Sequence, residues 1–321
     1  MDACSAYRRM IGPSLGRYVM KVPRLLLPLL ALTLAPALVA TQGGQAASGV
    51  AERAAPVTPV LVAVRAAHRG DVDRVVFEFR GGLPADRQVE YVDRLFADGS
   101  GRRVHVAGQA LLLVRFERAQ AHTDAGAATA APRRVAFPLP NVVTAVRAGD
   151  FEAVTTYGIG LAKRTPVRVT TLQAPPRVVV EVGAGFPTVQ RRVWFFHRDR
   201  FVDNREPFFV PVRRLVRPGA PATGVMDRLF AGPLPGERAR GLRLLRSGAT
   251  GYDDLSVSGG VADLRLTGRC RSGGSTVTVA GEVLPTLKQF ATVDRVVLRD
   301  ASGSTLDPDG PGDSTPECLE P

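Results

Sequence analysis

The sequence predicts two domains, an all-β sandwich over residues 57–184 and an α+β domain over residues 189–301. Three observations carry this. From Val57 to Val182 the chain offers short apolar runs separated by turn signals, with no long stretch of 3.6-residue period. At Gly183–Val189 the run "GAGFPTV" interrupts that rhythm with glycine and proline. Beyond it, helical and strand periods follow one another.

Taken in order, "MKVPRLLLPLLALTLAPALVA" from Met20 has the layout of a secretory signal, with a basic start, an apolar stretch and small residues. The apolar run Leu25–Ala40 is short for a membrane span, which needs about 20 residues, and two prolines interrupt it. Residues 1–47 are therefore expected to be a signal peptide, with Met20 as a possible true start and cleavage after Ala37 or near Ala46 and Ala47. The protein is expected to be exported and extracytoplasmic, either associated with the cell envelope or secreted. Residues 48–56 read as a linker.

In the first domain, "VLVAVRA", "DRVVFEF", "QVEYVDRLF", "RRVHVAG", "ALLLVRFERA", "FEAVTTYGIGL", "PVRVTTL" and "RVVVEV" read as strands. Val75, Phe77 and Phe79 alternate with Val76, Glu78 and Arg80, so the first set faces a core. Asp73, Arg74, Glu78 and Arg80 are assigned to the polar side. Ala107-Gly108 suggests a hairpin turn, and Ala121–Arg134 a flexible loop.

The second domain opens with "VWFFHRDRFV" and "PFFVPVRRLV", a hairpin joined at Asp203–Glu206. "PATGVMDRLFAGP" sets Val225, Met226, Leu229 and Phe230 on one helical face and ends at Gly232-Pro233. "LSVSGGVADLRLT" is a hairpin turning at Gly259-Gly260, "STVTVAGEVLPTLKQFA" a helix and "VDRVVLRD" a strand. Pro285 argues against a regular helix there. The segment 302–321 is Pro-, Gly- and Asp-rich and is expected to be disordered.

Cys4 falls in the signal, which leaves Cys270 and Cys318 as a candidate disulfide in an exported chain, the alternative being two free thiols. The formal charge is +12, from 42 basic and 30 acidic residues, and only Lys21, Lys163 and Lys288 are lysines. Adjacent arginines at 102–103, 133–134, 191–192 and 213–214 suit an anionic partner. In an exported protein that partner is an envelope polymer and not nucleic acid. Solvated arginine encoded by a GC-rich genome explains them equally well.

Catalytic chemistry finds little support. His68, His105, His122 and His197 accompany no Gly-x-Ser-x-Gly elbow, and no pair of them has metal-ligand spacing. "DPDGPGD" lacks the register and terminal acid of a calcium loop, and "VGAGFP" opens no helix. The expectation is a protein without enzymatic activity, metal or cofactor.

"DRVVFEFRGGLP", "VEYVD", "VHVAGQALLLVRF", "GDFEAVTTYGIGL" and "PPRVVVEV" resemble the AMIN-like domain of exported actinobacterial proteins. "GVMDRLFAGPLPGERARGL", "SVSGGVADLRL" and "TLKQFATVDRVVLR" resemble the GerMN domain of sporulation and germination proteins, with Pro285 departing from its pattern. The resemblance spans about Val57 to Asp300. It implies a β-sandwich that localises envelope proteins, and an α+β unit similar to the ring-building motif of envelope assemblies. Arg80, Tyr91, Arg102, His122 and Tyr157 lie in or beside the matching motifs and are the candidate contacts. Two functions follow as expectations: binding of peptidoglycan or another wall polymer through the AMIN-like half, or protein–protein assembly, including self-association, through the GerMN half.

Overall fold

The aromatic side chains that alternate along the N-terminal strands meet in the middle of a sandwich. The computed structural model describes residues 57–130 and 132–321. Its N-terminal half comprises β1 (Val60–Arg69), β2 (Val72–Arg80), β3 (Asp86–Val92), β4 (Leu95–Phe96), β5 (Arg103–Val104) and β6 (Ala110–Glu117). β7 (Arg134–Ala136), β8 (Val142–Phe151), β9 (Val154–Leu161), β10 (Val167–Gln173) and β11 (Pro176–Gly183) complete it. One antiparallel sheet has the order β1-β2-β11-β10, the other β3-β6-β9-β8-β7. Phe77 of β2 meets Phe116 of β6 and Tyr157 of β9 edge to face, with ring centroids 5.0 and 5.3 Å apart. Val75, Phe77 and Phe79 are all buried, each contributing about 1.5–3 kcal/mol by leaving water.

Two local readings of this half are corrected. Asp73 shares the parity of Val75 and Phe77, and it is fully buried, not on the polar side with Arg74, Glu78 and Arg80. Ala107-Gly108 makes no hairpin, because β5 pairs with β4 and leaves β6 to β3 and β9. A Cβ at Gly108 (φ +140°) would lie 2.7 Å from the Leu161 nitrogen, so the glycine lets the chain lie against the end of β9. The loop Ala121–Arg134, expected to be flexible, carries its own hydrogen bonds, Thr123 N to Ala127 O at 2.8 Å and Thr129 N to Ala121 O at 2.9 Å.

The C-terminal half contains β12 (Val189–His197), α1 (Arg198–Val202), β13 (Phe209–Val216), α2 (Pro221–Ala231) and α3 (Pro235–Ala239). β14 (Leu242–Arg243), β15 (Ala249–Ser258), β16 (Val261–Gly268), α4 (Ala280–Lys288) and β17 (Arg295–Arg299) follow. Its sheets run β13-β12-β14 and β15-β16-β17, the last pair parallel. β12 and β13 pair as read from the sequence, but the first residues of their connection coil into α1. Gly259 and Gly260, at φ +55° and +80°, provide the left-handed positions that a two-residue hairpin needs. α2 starts on Pro221 and stops at Gly232, and its Val225, Met226, Leu229 and Phe230 form a core with Val283 and Leu287 of α4. Pro285 sits inside α4. The buried carboxyl group of Glu282 accepts the amides of Phe196 and Leu245 at 3.0 Å each and fastens that helix to β12.

The segment after β17 is not loose. Ser314 donates to Val296 O at 2.9 Å and accepts from Leu298 N at 2.8 Å, and Leu319 is buried. Cys270 and Cys318 are joined, with Cα atoms 5.6 Å apart. Composition suggested disorder because it registers Pro, Gly and Asp, not the backbone groups of β17 that this segment covers. The signal peptide, its alternative start and the whole linker fall outside the described residues. Among those described, no helix is long and apolar enough to cross a membrane.

Candidate functional site

A network of buried polar contacts lies at the seam where α2 meets the sandwich, within the single compact unit Ala55–Pro321. The seam is built on the loop "FPLPN" between β7 and β8. Its two prolines have no N–H, so its carbonyls need donors from elsewhere. Arg228 of α2, 2 % exposed, supplies them. Its guanidinium donates to Phe137 O (2.9 Å), Val142 O (3.3 Å), Leu139 O (2.5 Å), Pro140 O (3.3 Å) and, on its own side, Leu215 O (3.1 Å). The amides of the same loop are taken by Asp73, whose Oδ2 accepts from Asn141 N at 2.7 Å and Val142 N at 2.8 Å. Asn141 is satisfied as well, donating to Gly183 O (2.7 Å) and Thr165 Oγ1 (3.0 Å) and accepting from Lys163 N (2.9 Å). One loop is thus held from both halves, its amides by Asp73 and its carbonyls by Arg228.

Asp227, the neighbour of Arg228, performs the second coupling. Its carboxylate accepts from Gln109 Nε2 (2.9 Å) at the start of the β6 region and from Tyr252 Oη (2.9 Å) on β15. Burial raises its pKa to about 6, against the pull of the Gln109 and Tyr252 hydrogen bonds and of Arg228. A folded-state pKa above the unfolded one means that folding takes up a proton. The associated stability is complete below about 4 and is lost as pH rises through about 6. We expect Asp227→Asn to remove about 2–3 kcal/mol of pH dependence over that window, measured as urea unfolding at several pH values. Glu282 is also raised by burial and contributes in the same direction in both proteins. Parallel profiles for wild type and variant would refute the assignment to Asp227.

Beside this pair lies a cleft of about 420 Å³, lined by Arg103, His105, Gln109, Asp227, Tyr252 and Asp253 among others. Asp253 is bonded to Arg265 at 3.0 Å. His105 is lowered by burial first, then by Arg103 and Arg134.

The sequence-derived contacts are scattered. Arg80 is exposed at the end of β2, and Arg102 is exposed in the β4–β5 turn. Tyr91 is committed to structure: its hydroxyl donates to Thr165 O (2.7 Å) and accepts from Thr165 N (3.1 Å), and the Arg164 guanidinium lies 4.3 Å from its ring centre. His122 is partly exposed, with Nδ1 2.8 Å from Asp150 Oδ2, and Asp150 also accepts from Ala121 N and Thr155 Oγ1. Tyr157 is corrected from a contact to a core residue, 2 % exposed, and burial pushes its hydroxyl up to about 12. His68 likewise bonds to Asp73 at 2.7 Å. Among the described residues neither of these imidazoles has a hydroxyl or thiol as hydrogen-bond partner. No group of three His, Cys, Asp or Glu residues among those described could hold a metal ion.

Both sheets, the aromatic core and the "FPLPN" loop fall inside residues 59–184, the stretch matched by the family model of the AMIN-like domain. This half is an AMIN-like domain. No curated protein and no solved structure matches the chain. AMIN-like domains are binding or targeting domains associated with the cell wall, and the match suggests such a role for residues 59–184. The seam residues Asp73 and Asn141 belong to the AMIN-like domain, whereas Asp227 and Arg228 lie beyond it. Sequence reading placed Asp227 and Arg228 in a helix but gave them no role. The signal available was the "MDR" triplet, two charges set between core positions Met226 and Leu229 of that helix.

Proposed function

We propose that this protein is an exported, non-catalytic component of the cell envelope that binds wall polymer through its AMIN-like domain. The match of residues 59–184 to that family carries the reading, and the secretory layout of residues 1–47 supports export. Arg80 and Arg102 are exposed and His122 is partly so, which makes them the contacts open to a polymer. Arginine recognises carboxylate and phosphate groups with paired N–H donors. The full mature chain is expected to co-sediment with purified sacculi at low salt and to be released as salt rises. Protein that stays in the supernatant even at low salt removes the proposal.

A second reading is an assembly part acting through the C-terminal half, whose motifs resemble GerMN. The turn holding α1 favours it, because Phe201 and Val202 are 39 % and 72 % exposed while Phe195 and Phe196 are buried. Light scattering at high concentration tests it. A monomer there, together with no crosslinked partner in envelopes, counts against assembly.

A further inference from the structure

We propose that the cleft between the AMIN-like domain and the C-terminal half is a binding site for an anionic sugar, a saccharide carrying one phosphate or carboxylate group. Arg103 and His105 are part of the cleft lining. Two more guanidinium groups stand behind the lining. Arg134 donates to His105 O at 2.5 Å, and Arg246 donates to Thr250 O at 3.2 Å and Phe230 O at 3.4 Å. All three carbonyls belong to residues of the cleft wall.

These guanidinium groups are not held in ion pairs. Among the described residues, none of the ion pairs involves Arg103, Arg134 or Arg246. Asp253, which also lines the cleft, pairs with Arg265, which Asp254 shares. Glu282 lies near Arg246, but its oxygens accept the amides of Phe196 and Leu245. Arg134 is lowered to about 10 by burial, then by Arg246 and Arg133, and so remains charged at neutral pH. Gathering like charges in a partly buried place costs free energy unless an anion enters. The rest of the polar lining has a different character. Gln109, Tyr252 and the Asp227 carboxylate suit hydroxyl groups and repel a second negative charge. A volume of about 420 Å³ accommodates one sugar ring with its charged substituent.

This site is separate from Arg80, Arg102 and His122, and its occupancy does not depend on the binding of intact wall. The test is calorimetric titration of the full mature chain with glucose 6-phosphate, glucuronate, inorganic phosphate and neutral glucose. At least one anionic sugar is expected to bind saturably and about tenfold or more tightly than glucose. The phosphate and carboxylate arms decide which anion the site takes. Arg103→Gln, at an exposed position, is expected to weaken that binding about fivefold or more, and Arg168→Gln on β10 to leave it unchanged. Arg134→Gln should act like Arg103→Gln, and the exposed variant keeps the test decisive if the buried one does not fold. Equal binding of glucose and the anionic sugars overturns the proposal, as does wild-type affinity in Arg103→Gln. Inorganic phosphate binding as tightly as either sugar overturns its saccharide part. Sacculus binding without sugar binding would remove this site alone, and sugar binding without sacculus binding would remove the wall-polymer reading alone.

Discussion

Arg228→Met is expected to destabilise the protein by about 3–5 kcal/mol, because it removes the single cation that satisfies the carbonyls of a proline-rich loop. The methionine fills much of the same volume, so the loss reports hydrogen bonding more than packing. Phe137, Leu139, Pro140 and Val142 would each lose a donor, and two residues of that loop are prolines without an amide of their own. Asp73 would still hold the Asn141 and Val142 amides but would lose the nearby positive charge that balances it. Lysine at this position is expected to recover less than half the loss, since an ammonium cannot reproduce a planar fork spanning several acceptors. Urea unfolding followed by Trp194 fluorescence reports the C-terminal half, and far-ultraviolet circular dichroism reports both. In the wild type the two signals should coincide, and in Arg228→Met they should shift to lower urea and separate. A loss below about 1 kcal/mol would mean that water replaces the guanidinium at this seam.

Removing the Cys270–Cys318 link is the other large effect. The bond closes a loop with a sequence separation of 48 residues, and the chain-entropy relation gives about 4 kcal/mol for a loop of that size. It anchors the final segment, which Ser314 binds along β17 and which Asp313 supports by accepting from Val296 N and Lys288 Nζ at 2.9 Å each. The Cys270→Ser, Cys318→Ser double variant should therefore unfold at lower denaturant. Its Val296 and Leu298 amides should exchange faster with solvent than those of the sandwich core. Unchanged exchange at these two amides, with stability within about 1 kcal/mol of wild type, would show that the strand contacts hold the segment without the link.

Much of the fold was legible along the chain. Period-two alternation marked β2 and its inward Phe77 and Phe79. Gly232 marked the end of α2, and Gly259-Gly260 marked the β15–β16 turn. β8 escaped notice because it is buried on both sides. Ala145 faces the sandwich core, while Val143 packs with Ala231 of α2, so no polar face produced an alternation to detect. The candidate contacts fared unevenly for a related reason. A tyrosine in a strand reads the same whether its ring faces solvent, as a ligand platform must, or Phe77, as Tyr157 does.

The sequence by itself determined the strand period of β2, the end of α2 and the motifs of an AMIN-like domain, because each of these is written in neighbouring residues. Only the tertiary structure decided that Asp73, Asn141 and Arg228 share one loop, and that Arg103, Arg134 and Arg246 gather around one cleft. Those residues are far apart in the chain, and their meaning lies in backbone groups and charges that folding brings within hydrogen-bonding or Coulombic reach. A charged residue between core positions can be seen in one dimension, but its partner can be seen only in three.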